Sequence, residues 1–282
     1  MAMQTKVRKQ LAGMVPDGAR QGALTLLFHA YGRLADTRSP YDYLFLLSHM
    51  RAGSSLLAML LGNSDEICGY GETMLPYRSA ADLKLLAGNN LFRLQPFSLP
   101  GPERYMLDKL VHDDLLAPEL LAELAENRVR FIFLIREPLG TINSMMNMVS
   151  LDEMIATSLY IKRLETLAQY GRALPDSSRA FFLSYDELTK RTDSTLAALS
   201  EFLDLQTPLR SQYEVLRPMQ ERRSAHYARL HLGRVDGESS ASAPAQLSER
   251  ELHIAGEAYQ RCRDALAALC ETAGKGDQRS VA

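Results

Sequence analysis

Cysteine is scarce in this chain. Its three cysteines, Cys68, Cys262 and Cys270, fit neither a disulfide framework nor the spacing of a zinc site. A reducing, cytosolic compartment is the default expectation. Long hydrophobic runs are missing too. The longest near the N-terminus, residues 22–30, is interrupted by His29 and is far too short to span a bilayer. Lys6, Arg8 and Lys9 before it give a faint leader-like look. Pro16, Asp17 and Arg20 break that pattern, and no clean small-x-small cleavage site follows. Residues 1–40 therefore read as a cytosolic helical extension covering the core or a partner. Charge of one sign is also lacking. The net charge of −2 removes any global electrostatic case for nucleic acid or an anionic membrane, though not for one basic cleft. No internal repeat or low-complexity block is visible.

What is there suits a soluble globular protein. Hydrophobic residues make up 46% and charged residues 23% of 282, ample for a large core. No boundary divides the chain, so residues 1–282 read as one domain with a C-terminal tail at 272–282. Self-association is left open. Short apolar runs alternate with helical patterns, the signature of β-α units and a parallel sheet. Residues 43–48 (YLFLLS) read as a buried central strand, 54–61 as a helix and 67–70 as a short strand. Residues 104–111 are a less clean strand, because charges interrupt them. Residues 115–124 read as a helix with Pro118 in its first turns. The strongest strand signal is 130–135 (RFIFLI), followed by a helix from about Leu139. Leu151, Met154, Ile155 and Leu159 mark a further helix running toward Gly171. Residues 180–184 read as a strand, and a helix begins near Ser194 or Thr195. Residues 233–246 read as a loop.

Chemistry first shows in Arg51-Ala52-Gly53-Ser54-Ser55, with Leu56 next. Gly53 permits a tight turn and a close ligand approach. Ser54 and Ser55 offer hydroxyl donors, and the helix start supplies amides and a favourable dipole for an anion. Arg51 adds a bidentate positive charge. A triphosphate P-loop needs G-x-x-x-x-G-K-[S/T]. Here Ser48 stands where the first glycine should be and Ser54 where the lysine should be, which counts against a magnesium-dependent nucleotide kinase. Taken alone, a glycine turn with a serine cap would explain the segment as well. Arg136 follows the strand RFIFLI at its carboxyl end, with Pro138 and then Ser144 behind it. Ligands in open α/β sheets bind outside the carboxyl ends of strands, so the two segments can face one cleft.

The two segments together resemble the sulfotransferases that use 3′-phosphoadenosine-5′-phosphosulfate (PAPS). That family carries a [K/R]-x-G-[S/T]-[S/T] turn after the first strand and an R-x-P-x(5)-S stretch running from a later strand into a helix. The resemblance spans about 41–205. It implies a P-loop-like three-layer α/β sandwich whose central parallel sheet is flanked by helices. It also implies PAPS as cofactor, adenosine 3′,5′-bisphosphate as product and no metal. By resemblance, the turn with Ala52 and Leu56 holds the phosphosulfate, while Arg136 and Ser144 hold the 3′-phosphate.

Glu72, in Gly69-Tyr70-Gly71-Glu72-Thr73, resembles the base segment of protein-tyrosine sulfotransferases and of some bacterial carbohydrate sulfotransferases. A hydroxyl nucleophile must lose a proton, and Glu72 is the expected base. Lys109 matches a lysine that reaches the sulfuryl group in related enzymes, although it lacks the usual K-x-P context. His112 is the alternative base. Tyr185-Asp186-Glu187-Leu188 resembles a Y-E-D-L stretch and reads as fold support. Arg222, Arg223 and above all Arg234 are candidates for a late basic loop over the cofactor. The expected acceptor is a carbohydrate, lipid or natural-product hydroxyl, chosen by residues in the helical segments 1–40, 74–103 and 145–175. A kinase and an inactive cofactor-binding homologue are the alternatives.

Overall fold

The computed structural model describes residues 41–69, 71–94, 102–216, 230–236 and 247–273. The expected helix in 1–40, Arg222, Arg223, most of the 233–246 loop and most of the 272–282 tail lie outside the described residues.

The described chain builds five strands: β1 (Asp42–Ser48), β2 (Ile67–Cys68), β3 (Tyr105–Leu110), β4 (Val129–Ile135) and β5 (Ala180–Ser184). They form one parallel sheet in the order β2-β3-β1-β4-β5. Its helices in chain order are α1 (Ser54–Leu61), α2 (Leu83–Leu94), α3 (Leu121–Glu126) and α4 (Pro138–Val149). They continue with α5 (Glu153–Ala173), α6 (Tyr185–Lys190), α7 (Thr192–Phe202) and α8 (Glu249–Leu269).

β1 is hydrogen-bonded on both edges, with Leu46 opposite Lys109 of β3 and Ile132 of β4. A strand covered on both faces is apolar along its length, which explains the unbroken runs in β1 and β4. Side chains still alternate between faces. Tyr43, Phe45 and Leu47 join Phe131, Phe133 and Ile135 in one core, under α2, α3, α4, α5 and α8. Leu44 and Leu46 join Ile132 and Leu134 in the other, under α1, α6 and α7. The architecture is the three-layer α/β sandwich expected from sequence.

Three helical expectations change. Residues 115–124 are not one helix. Asp113–Leu115 and Pro118–Leu120 form tight 3-10 turns before α3. Ala117 is extended, as a residue before proline prefers to be, and the Leu115 carbonyl is taken by the Tyr77 amide. The expected helix near Ser194 starts at Thr192, and α6 precedes it behind a capping box of Ser184 and Glu187. α8 was not expected at all. It is capped by Ser248 and packs along α5.

One buried cation fixes the ends of the sheet. Arg163 of α5 donates to the carbonyls of Ser48 (2.9 Å) and Leu110 (2.8 Å), which close β1 and β3. It also donates to the His112 carbonyl (3.2 Å) and pairs with Asp113 (2.8 Å). Ser48 and Leu110 are the last residues of their strands and His112 lies just beyond β3, so one multi-donor guanidinium satisfies three carbonyls together. Arg163→Met should keep the apolar stem but strand these acceptors and the Asp113 charge. We expect a loss of about 3–5 kcal/mol in urea unfolding; a loss below about 1 kcal/mol would show that the clamp is dispensable.

Candidate active site

The turn after β1 is held in a conformation that few residues accept. Arg51 has φ 68° and Gly53 φ 90°. A Cβ on Gly53 would sit 2.6 Å from Cδ2 of Tyr185, so only glycine fits. No side chain caps α1, which begins at Ser54. The Leu56 and Leu57 amides go to the Gly53 carbonyl, and the start of a helix favours an anion near the Ser54 and Ser55 amides that precede them. The Tyr185 ring against Gly53 also carries the Arg136 guanidinium, whose Cζ lies 4.3 Å from the ring centroid.

The second segment starts at the carboxyl end of β4. Pro138 opens α4, and Glu137 accepts from the Gly140 amide with both oxygens. One turn later Ser144 accepts a hydrogen bond from Arg51 Nε at 2.7 Å. The two sequence motifs therefore meet directly. Arg136 Nη1 approaches the Arg51 carbonyl at 3.5 Å. Its Nε is buried and makes no hydrogen bond among the described residues, with Glu137 Oε1 3.6 Å away. A buried, under-satisfied guanidinium donor beside a glycine cradle fits an anionic ligand.

His49 registers the two motifs. Its Nδ1 lies 2.8 Å from the Met50 carbonyl, and its Nε2 accepts the Arg136 amide at 2.9 Å. This pattern needs the neutral ring with the proton on Nδ1. Burial, with Arg163 and Arg136 nearby, lowers its pKa from 6.5 to about 4. Tyr160 packs edge-on against the ring and donates to the Arg136 carbonyl at 2.7 Å.

A second cluster meets the turn from β3. Lys109 Nζ donates to Ser55 Oγ (3.1 Å) and pairs with Glu72 Oε1 (2.8 Å). The lysine side chain is only 8% exposed. Glu72 Oε2 lies 3.9 Å from His112 Nε2, so both candidate bases and the candidate cation share one place. Lys109 reaches α1 because period two turns it to the same face as Tyr105 and Leu107. Arg234 is exposed and joined by an antiparallel bridge to Gln212.

Thus the structure gathers Arg51, Gly53, Ser55, Glu72, Lys109, His112, Arg136 and Ser144 at the carboxyl ends of β1, β3 and β4. Ala52 and Ser54 are buried in the turn, and Leu56 is half-buried beside them. Sequence reading missed His49, and it gave Tyr185 only a supporting part. Polar Ser48 and His49, closing an otherwise apolar strand, were the available signal for the first. An aromatic residue directly after β5 was the signal for the second.

No protein-family model matches the chain, and no curated protein matches it by sequence. Solved structures match it in fold. The sulfotransferase domain from the Synechococcus PCC 7002 olefin synthase aligns with TM-score 0.52 at 15% identity, over 80% of this chain and 96% of that one. The sulfotransferase domain from the curacin biosynthetic pathway gives 0.49 at 18% identity, over 79% and 99%. Retinol dehydratase, in a complex with retinol and PAP, gives 0.39 at 11% identity, over 86% of each chain. The first of these likenesses shows that the chain has a sulfotransferase fold. No helix among the described residues is long and apolar enough to cross a membrane.

Because His49 must be neutral to accept from Arg136, its lowered pKa ties stability to pH. Its contribution is complete above pH 6.5 and is lost as pH falls toward about 4. The shift corresponds to a contribution on the order of 3 kcal/mol. Denaturation of wild type and His49→Gln at pH 7.5 and 4.5 checks this. The wild-type advantage over the variant should shrink at the lower pH, and an unchanged difference would mean that His49 does not titrate with folding.

Proposed function

We propose that this protein transfers a sulfuryl group from PAPS to an acceptor hydroxyl. The observation that carries the reading is the chain of contacts Ser55–Lys109–Glu72 beside the Arg51–Ser144 contact. An anion cradle, a buried cation and a carboxylate base stand in that order.

The residues fit a nucleotide with two separated anionic ends. The amides of the turn, Ser54, Ser55 and Arg51 would hold the phosphosulfate end, with Gly53 allowing the close approach. Arg136 and Ser144 would hold the 3′-phosphate, and the Tyr185 ring holds the Arg136 guanidinium beside the turn. Bound PAPS supplies an activated sulfuryl group and leaves as adenosine 3′,5′-bisphosphate. Glu72 accepts the proton of the acceptor hydroxyl as that oxygen bonds to sulfur. Lys109 holds the carboxylate in place and offsets charge on the transferring oxygens. Arg51 offsets charge on the departing phosphate. Catalysis on this reading is mainly orientation and electrostatics.

Carbohydrate, lipid and natural-product hydroxyls are the acceptor classes in view. His112, on the other oxygen of Glu72, is the alternative base.

Saturating adenosine 3′,5′-bisphosphate should raise the melting temperature by roughly 5–10 °C, and adenosine 5′-monophosphate by much less. Arg136→Ala should erase the difference between them. Equal or absent stabilisation by the two nucleotides would sink the cofactor assignment. With ³⁵S-labelled PAPS and a panel of 4-nitrophenol, 1-octanol and glucosamine, Glu72→Gln should lower kcat about 10²–10⁴-fold while keeping bisphosphate affinity. A variant with full turnover would hand the base role to His112. Binding without turnover on any acceptor would favour an inactive homologue.

A further inference from the structure

We infer that Asp108, which no sequence motif singled out, is the positioning residue for the Glu72–Lys109 pair. The inference rests on the reading of that pair as catalytic.

Asp108 lies in β3 directly before Lys109 and is fully buried. Its carboxylate accepts four hydrogen bonds. Oδ1 takes the Thr73 amide (3.0 Å) and the Lys109 amide (2.8 Å). Oδ2 takes the hydroxyls of Thr73 (2.7 Å) and Tyr77 (2.7 Å). Thr73 directly follows Glu72. One buried carboxylate therefore grips the main chain of the residue beside the base and that of the cation itself. A further bond, from the Lys109 amide to the Gly71 carbonyl (3.2 Å), lays the 71–73 segment along β3.

Alternation turns this grip into register. Along β3, Asp108 faces the core that holds Met106 and Leu110, and Lys109 faces the α1 side. Along the neighbouring segment, Thr73 meets Asp108 and Glu72 meets Lys109. A slip of one residue would move Glu72 to the Asp108 side, where two carboxylates would meet in a dry core. The Thr73 amide and hydroxyl and the Tyr77 hydroxyl, all converging on Asp108 from the neighbouring segment, oppose that slip.

Two further observations fit. Met74, just after Thr73, has φ 59°, in the left-handed region that non-glycine residues avoid, although its side chain is 53% exposed. It lies between the anchors at Thr73 and Tyr77, both of which donate to Asp108. Burial also pushes the Asp108 carboxyl up to about 6 against four hydrogen bonds that favour its charge. An apolar residue would avoid that penalty but could not hold the segment.

Asparagine can satisfy the same geometry. Its oxygen can accept both amides, and its NH₂ can donate to the two hydroxyls. The substitutions thus separate a positioning role from simple stability. In the ³⁵S assay, with the acceptor of the panel that supports the fastest turnover, Asp108→Ala should lower kcat at least about 10-fold. KM for PAPS and bisphosphate affinity should stay within about 3-fold, since Arg51, Arg136 and Ser144 are untouched. Asp108→Asn should recover kcat to within about 3-fold of wild type. Tyr77→Phe and Thr73→Val each remove one donor and should lower kcat by an intermediate factor, which keeps the test open if the alanine variant does not fold. Wild-type kcat in folded Asp108→Ala, or in both Tyr77→Phe and Thr73→Val, would overturn the inference. So would an asparagine variant as impaired as alanine, or parallel losses in kcat and PAPS affinity. Glu72→Gln in the same assay reads the base assignment separately: if it keeps full turnover while Asp108→Ala loses kcat, the base reading fails but the dependence on Asp108 stands.

Discussion

The Lys109 ammonium is nearly buried at the end of a parallel sheet, and much of the local architecture answers to that charge. A buried cation needs a counter-charge and hydrogen bonds. Here both come from other segments: Glu72 from the connection after β2, and Ser55 from the first turn of α1. Three stretches distant in sequence must therefore arrive together. Lys109 can be there because β3 lies beside β1, with Leu46 as its register partner. A β3 displaced by one residue would point Asp108 at α1 and put the cation in the opposite core. The pairing of β1 with β3 thus carries chemical information as well as stability.

Charge in this region is distributed unevenly. Arg163 is paired with Asp113, and Lys109 with Glu72. Among the described residues the one counter-charge near Arg136 is Glu137 at 3.6 Å, and that carboxylate is already engaged by the Gly140 amide. His49 adds no charge, because burial and the surrounding arginines keep it neutral. A chain with a net charge of −2 thereby gathers Arg51, Lys109, Arg136 and Arg163 near the carboxyl ends of β1, β3 and β4. Net charge alone could not show this, since it does not say where the cations sit.

The strands were legible where physics is local. Unbroken apolar runs in β1 and β4, and the glycine turn between β1 and α1, follow from burial on both faces and from steric need at Gly53. The 104–111 segment looked weak as a strand because Asp108 and Lys109 interrupt it, yet that interruption is the chemistry: both charges are inside the fold, on opposite faces. Periodicity cannot distinguish a solvated charge from one that is buried and paired. The role of His49 was likewise hidden, because its partner is the amide of Arg136, which reaches it only through the β1–β4 pairing. α8 carries a weak periodic signal because its apolar positions are diluted by charged ones, although Ser248 capping the Glu251 amide is a local start signal. The helix expected over 115–124 is interrupted where the Leu115 carbonyl accepts from the Tyr77 amide, a tertiary contact that local sequence does not encode.

The strand order explains why two separate motifs serve one cleft. From β1 the chain passes to β2 at one edge and returns through β3, then crosses to β4 and β5 on the other side. The sheet therefore changes its direction of progression at β1, and helices leave the carboxyl ends of β1 and β4 on opposite faces. Such a switch point opens a crevice between the two departing connections. The Arg51–Ser144 bond spans it, from the turn to α4. The Lys109–Glu72 pair stands on the β3 side of the same turn. On the proposed reading this divides the labour by strand: the β4 side anchors the nucleotide, the β1 turn holds the reactive anion, and the β3 side receives the acceptor and its proton. The turn can serve both sides because Gly53 lets Tyr185 approach from one and Ser55 reaches Lys109 on the other.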